Sequence, residues 1–296
     1  MGSPGPCQGI NYNSARRKGD GLIPPPQVGS ARMGPPRFAG GFTLAVAWQL
    51  GRRDLIARRR LSAVMLLRAL VQPLAQTGLF WLLLSGILRL RFESTPGGYP
   101  VFLLAGLLAW GFLASVVAAA TTCLNQNAAL VRRVALPREA FVYALAAEGL
   151  VQAGLVTLVL VLVIAISPGS TGGGIVLAWL LPLAAALVLL SMGLALLMAA
   201  LSVILPSTAL ALPILLQAWF YATPIVYPPT KAPAWLAATF AWNPMALIVG
   251  AFRRVLLEGS APDPASLLYV ATAAAAAFLL GHWVFRRCDA LLPDLV

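Results

Sequence analysis

The chain has 296 residues, 60% of them hydrophobic and only 10% charged, against about 25% charged and about 45–50% apolar in a soluble domain. That excludes a water-soluble globular protein. Apolar runs of about 20 residues suit bilayer-crossing helices, and the alternating segments of about ten residues that mark a membrane β-barrel are absent. The net charge of +12 would point to nucleic acid in a soluble protein. Here the basic residues flank apolar runs, where they orient the chain and touch lipid headgroups instead.

In chain order, residues 1–41 are rich in Gly, Pro and Ser with no apolar run. They bury too little to offset ordering entropy, so a disordered tail is expected, without the apolar core of a signal peptide. Residues 42–64, "FTLAVAWQLGRRDLIARRRLSAV", set Phe42, Leu44, Trp48, Leu55 and Ile56 against Arg52, Arg53, Arg58, Arg59 and Arg60. That pattern fits a helix lying in the membrane interface, or simply a basic flank to the first span. Six spans follow, at about 65–88, 100–123, 141–166, 175–203, 208–227 and 265–285, each near the length a bilayer requires. The tail 290–296 is polar. With both termini in the cytosol, fifteen Lys and Arg fall in the inside segments and five in the outside loops, as the positive-inside rule demands.

Two gaps between spans are more than spacers. In 243–259, "NPMALIVGAFRRVLLEG", Asn243 suits an N-cap, Pro244 the first helical position and Gly259 the stop. A helix of about 15 residues is too short for a full crossing. Arg253 and Arg254 also oppose one, so a re-entrant or interfacial helix is expected. In 124–141, Leu130, Val131, Val134 and Leu136 are apolar between Arg132 and Arg133, and Pro137 stops any helix near Leu136. An amphipathic helix of this kind lies on the membrane or fits a groove on a partner.

Conventional site chemistry is sparse. Neither lysine, Lys18 or Lys231, sits in a phosphate-binding loop. The single histidine, His282, supports neither a metal site nor a Ser/His/Asp triad. Cys7, Cys123 and Cys288 all fall on or near the cytosolic side, where thiols stay reduced, so no disulfide is expected. Glu148, alone within the third span, either bonds a neighbour at the edge of a water-filled cavity or serves as a proton relay or substrate contact.

Five stretches in order, "RRDLIARRRLSAVMLLRALVQPL" (52–74), "YPVFLLAGLLAWGFLASVV" (99–117), "NQNAALVRRVALPREAF" (125–141), "LLQAWFYATPIVYP" (215–228) and "NPMALIVGAFRRVLLEG" (243–259), resemble the successive signatures of type-2 ABC transporter permeases. The resemblance covers about 42–289 and is nearest to the exporters of polysaccharides and polyol phosphates, namely O-antigen, capsule and teichoic acid. It implies an all-α membrane protein. Six transmembrane helices would be joined by an N-terminal interface helix, a cytosolic coupling helix and a re-entrant extracytoplasmic helical hairpin before the last span.

By the same resemblance, the interface helix, with Trp48, Arg52, Arg53, Asp54, Arg58 and Arg59, touches the ATP-binding subunit. The coupling helix, Gln126, Asn127, Leu130, Val131, Arg132, Arg133, Val134 and Leu136 with Pro137, Arg138 and Glu139 after it, inserts into that subunit. Thr223, Pro224, Asn243, Pro244 and Arg253 belong to the hairpin. Two permeases and two ATP-binding chains associate, ATP and Mg are bound on the partner, and this chain carries no cofactor or metal. Pro206 and Ser207 stand where the family usually has an Arg-Asp pair. Trp81, Trp110, Trp219, Tyr221 and Tyr227 offer rigid rings to a passing glycan, although interfacial belts use the same residues. The implied function is the membrane subunit of an ATP-driven exporter of lipid-linked polysaccharide in the bacterial inner membrane. An exporter of a drug or simple lipid, and an integral membrane glycan-lipid transferase, are the alternatives.

Overall fold

The computed structural model describes residues 62–83, 98–127, 137–166 and 176–288. Every regular element among them is helical. The expected tail, the interface helix with Trp48, Arg52, Arg53, Asp54, Arg58 and Arg59, and the coupling residues Leu130, Val131, Arg132, Arg133, Val134 and Leu136 lie outside the described residues.

Eight helices are described: α1 (Ser62–Trp81), α2 (Gly98–Gln126), α3 (Glu139–Ile166), α4 (Leu180–Ile204), α5 (Ser207–Ala222), α6 (Ala234–Phe240), α7 (Pro244–Arg253) and α8 (Pro264–Cys288). Four are long and apolar enough to cross a bilayer: α2, α3, α4 with its leading 3-10 turn, and α8. The pair α6 and α7, bent by 84°, makes a fifth apolar unit. α1 carries Pro73 in its interior, a position tolerated in membrane helices where side chains repair the backbone. Thr77 donates to the Pro73 carbonyl at 2.8 Å.

α2 is the central helix. Leu103, Ala105, Ala109, Leu113 and Ala120 are fully buried along it, and it packs against α1, α3, α4, α5 and α7. Lipid tails are as apolar as leucine, so burial alone does not drive helices together in a membrane; close approach through small residues does. The α4–α8 contact shows this. A Cβ at Gly281 would strike the Gly193 carbonyl, and one at Gly193 would strike the Ala277 backbone. Side chains at either glycine would force the two helices apart.

The fifth span ends earlier than its hydropathy implies. Apolar sequence runs on to Tyr227, but α5 stops at Ala222. The residue before a proline is pushed out of the helical region, and Thr223, before Pro224, takes φ −105° and ψ 133°. Residues 223–226 then run as buried, irregular backbone. By contrast, α4 turns directly into α5 through Leu205 and Pro206, with Thr208 N–H bonded to Leu205 O at 2.9 Å.

Candidate functional site

Two charged centres occupy opposite ends of the bundle. The first is built on residues 223–226. Buried non-helical backbone must have its polar groups satisfied. Arg253 does this from α7. Its Nη1 donates to Pro224 O and its Nη2 to Ile225 O, each at 2.6 Å, and its Nε donates to Phe102 O at 3.3 Å. The guanidinium carbon stands 3.5 Å from the centroid of the Phe102 ring, a cation–π geometry. Tyr99 completes the set by donating its hydroxyl to Val226 O at 2.7 Å. Arg253 is 6% exposed, and its hydrogen-bond partners are carbonyls, none of them a carboxylate. Gly106 makes room for it: a Cβ there would lie 2.7 Å from Nη2.

Asn243 joins the start of α7 to the end of α5. Its Oδ1 accepts from Met245 N at 3.0 Å, the expected N-cap, and from Trp219 Nε1 at 3.1 Å. Its Nδ2 donates to Thr223 Oγ1 at 3.1 Å. Pro244 takes the first helical position. α7 continues into a π-helical turn, Arg254–Glu258, and stops at Gly259 with φ 59°, left-handed backbone that favours glycine. The structure thus brings Thr223, Pro224, Asn243, Pro244 and Arg253 together, and separates the two adjacent arginines: Arg253 is buried and Arg254 exposed.

The second centre gathers at the other end. Arg253 meets α2 at Phe102, and α2 runs on to Gln126, about 36 Å further at 1.5 Å per residue. There Asn127 folds its Nδ2 back onto Cys123 O at 2.8 Å, and Gln126 bonds Thr122 at 3.3 Å. The chain re-enters the described residues at Pro137, whose carbonyl accepts from Ala140 N, while Phe141 N donates to Arg138 O. Glu139, at the first turn of α3, is held from α8. Arg286 Nε donates to its Oε1 at 3.1 Å, and His282 Nδ1 stands 3.8 Å from its Oε2. Phe278 stacks on His282. The two ends of the segment 128–136 are therefore anchored separately, one on α2 and one on both α3 and α8.

The aromatic residues divide. Trp110, expected as a ring open to substrate, is 8% exposed and packs edge-on against Trp219 and Phe220; it is a core residue of this chain. Trp219 is half-buried, held by Asn243. Trp81 and Tyr221 are exposed, and Tyr227 bonds Tyr221 O at 2.8 Å. Tyr99, Phe102, Gly106, His282 and Arg286 were not anticipated as site residues. Nothing local in the sequence marks the first three, since their roles depend on Arg253 about 150 residues away. An acid at the head of one span facing basic residues at the foot of another was the available signal for the last two.

Residues 46–257 match the family model described as ABC-2 type transporter. The chain is also similar to the polysialic acid transport protein KpsM of Escherichia coli, at 26% identity over 238 residues, covering 76% of this chain and 87% of that protein. The chain belongs to the ABC-2 type transporter family: it is a multi-pass inner-membrane subunit that pairs with an ABC ATP-binding subunit, and it is not itself an enzyme.

Proposed function

We propose that the chain is the permease of an exporter that moves lipid-linked polysaccharide, such as O-antigen, capsule or a related surface glycan, from the cytosolic to the outer side of the inner membrane. The observation that carries this reading is the similarity to a polysaccharide transport protein along 87% of that protein's length. In this reading α1 and α5 join the four long helices to make six spans, and the excess of Lys and Arg in the inside segments favours both termini in the cytosol. Two copies work with two ATP-binding chains, which hold ATP and Mg. A hydrated glycan needs a wider path than six helices of one chain enclose, and a seam between two copies provides it.

In this reading, segment 125–139 is the coupling helix and 42–64 the interface helix, and closure of the ATP-binding subunits on ATP moves them as rigid bodies. Support comes from the way Glu139 is tied to α8 as well as to its own helix, so a push on the segment reaches two spans. The hairpin α5–α7 caps the outer end, braced by Arg253. Trp81 and Tyr221 offer exposed rings to sugars.

The test is a deletion strain. Loss of surface polysaccharide together with intracellular lipid-linked chains is expected; a normal surface with lost drug resistance or altered lipid export rejects the reading. Within the same reading, Arg132→Glu with Arg133→Glu is expected to abolish co-purification with the ATP-binding subunit and its stimulation. Unchanged behaviour on both rejects the coupling role.

A further inference from the structure

The last turns of α8 carry a face that the bundle leaves open. Leu279, Leu280, His282, Trp283, Arg286 and Arg287 line one groove there, at the three- and four-residue spacing of a single helix face. Leu279, Leu280 and Trp283 are exposed, and so are both arginines. Along the helix the order is apolar, then aromatic, then cationic. The 25 residues of α8 extend about 38 Å at 1.5 Å per residue, beyond a hydrocarbon core of about 30 Å. Its last turn therefore reaches the headgroups, with Trp283 at the depth where membrane proteins place their aromatic belts.

Two features separate this face from an ordinary basic flank. Arg287 is positioned by a ring: its guanidinium carbon stands 5.3 Å from the centroid of Trp283, one turn back, within cation–π range. Arg286 is shared. Its Nε donates to Glu139 Oε1, and its two Nη groups make no hydrogen bond among the described residues. A guanidinium has five N–H donors, so four remain on Arg286 for a second acceptor. Glu139 offsets the charge of Arg286. No carboxylate among the described residues pairs with Arg287, and none lines the groove. With His282 neutral, one positive charge is left over. The carbonyl end of a helix by itself repels an anion, so any attraction here has to come from the two guanidiniums.

We infer that this face holds an anionic phospholipid, its phosphodiester bridging Arg286 and Arg287 and its acyl chain lying along Leu279, Leu280 and Trp283. The surplus charge matches a headgroup with one net negative charge, such as phosphatidylglycerol. It does not match zwitterionic phosphatidylethanolamine, whose ammonium the arginines repel. Arg286 then ties the lipid to Glu139, so headgroup and carboxylate draw on the same guanidinium at the foot of α3. The inference goes beyond the polysaccharide reading and does not depend on what the transporter carries.

The experiment uses the complete transporter, this chain with its ATP-binding partner, in detergent. Native mass spectrometry counts lipids on the assembled complex during titration with phosphatidylglycerol or phosphatidylethanolamine. Phosphatidylglycerol is expected to bind more tightly. Arg287→Gln is expected to weaken phosphatidylglycerol alone, about fivefold, the equivalent of the ~1 kcal/mol that a basic residue contributes near an anionic surface. Trp283→Leu keeps the face apolar but releases Arg287, and is expected to weaken the same lipid. Glu139→Gln frees Arg286 and is expected to tighten it by a similar factor. These two variants read the site independently should Arg287→Gln fail to assemble. Equal binding of the two lipids, or unchanged binding in Arg287→Gln and Trp283→Leu, would overturn the inference. So would an equal loss in Arg254→Gln, at the opposite end of the bundle, or full recovery in Arg287→Lys, since both indicate diffuse attraction instead of a built site. Displacement of the lipid by soluble glycerophosphoglycerol would show a site for free phosphodiesters and overturn the lipid assignment.

Discussion

The two ends of the bundle handle charge in opposite ways. At residues 223–226, Arg253 is buried, faces carbonyls, and replaces the ladder bonds that irregular backbone has lost. At the other end, Glu139 and Arg286 form an ion pair, with side chains 14% and 64% exposed. A buried cation with fixed acceptors cannot let go without leaving those acceptors unpaired, at about 1–3 kcal/mol each. An exposed pair exchanges with water for a few tenths of a kcal/mol up to about 1 kcal/mol. The end around Arg253 is therefore built to keep its shape. The end that flanks the proposed coupling segment is built to shift its contacts while remaining attached to two helices.

The largest effect that tests this contrast is Arg253→Leu. It strands the carbonyls of Phe102, Pro224 and Ile225, and a loss of several kcal/mol is expected, about 3–9 from the three unpaired acceptors together. Thermal unfolding of the purified transporter measures it. Arg253→Lys restores only part of the loss, because an ammonium cannot match the guanidinium's fork. A variant as stable as the parent would mean the backbone at 223–226 does not depend on this residue. Next is Gly106→Ala. Its methyl meets a guanidinium pinned by hydrogen bonds, not a freely moving one, so about 1–3 kcal/mol of destabilisation is expected, and it should vanish in the Arg253→Leu background. Additive losses in the double variant would break the proposed link between the two residues.

Glu139→Gln should change stability by less than about 1 kcal/mol, and should remove the salt dependence of unfolding that the ion pair contributes. A loss as large as that of Arg253→Leu would erase the distinction between the two ends. The smallest effect concerns Asp263, the N-cap of α8, whose Oδ2 accepts from Ser266 N at 2.9 Å and Ser266 Oγ at 2.8 Å. Those bonds hold its carboxyl below the ordinary aspartate range. A depressed folded pKa stabilises above the ordinary carboxyl pKa and is lost as pH falls through the lower folded value. Asp263→Asn should therefore flatten the acid limb of the stability curve slightly, and an unchanged limb would assign that titration elsewhere.

Much of the architecture was legible without coordinates. Apolar runs at helical length announced the class, and Asn243, Pro244 and Gly259 marked the limits of α7 through local backbone preferences, as found. The end of α5 was misread from hydropathy, because residues 223–227 remain apolar after Pro224 has ended the helix. The arginine pair 253–254 could not be resolved from the sequence either. Neighbours on a helix point about 100° apart, so one faces the bundle and the other does not, and only the position of α2 decides which.

Composition and hydropathy determined by themselves that this chain lives in a membrane, where its apolar runs fall and where its caps lie, since those properties belong to a few consecutive residues. The tertiary structure alone decided that Arg253 serves the carbonyls of Phe102, Pro224 and Ile225, that Glu139 answers to α8, and that Glu148 lines a cavity with Gln72, Gln76 and Gln152. The physical reason is that a partner up to 151 positions away is set by how helices cross, and no local preference encodes a crossing.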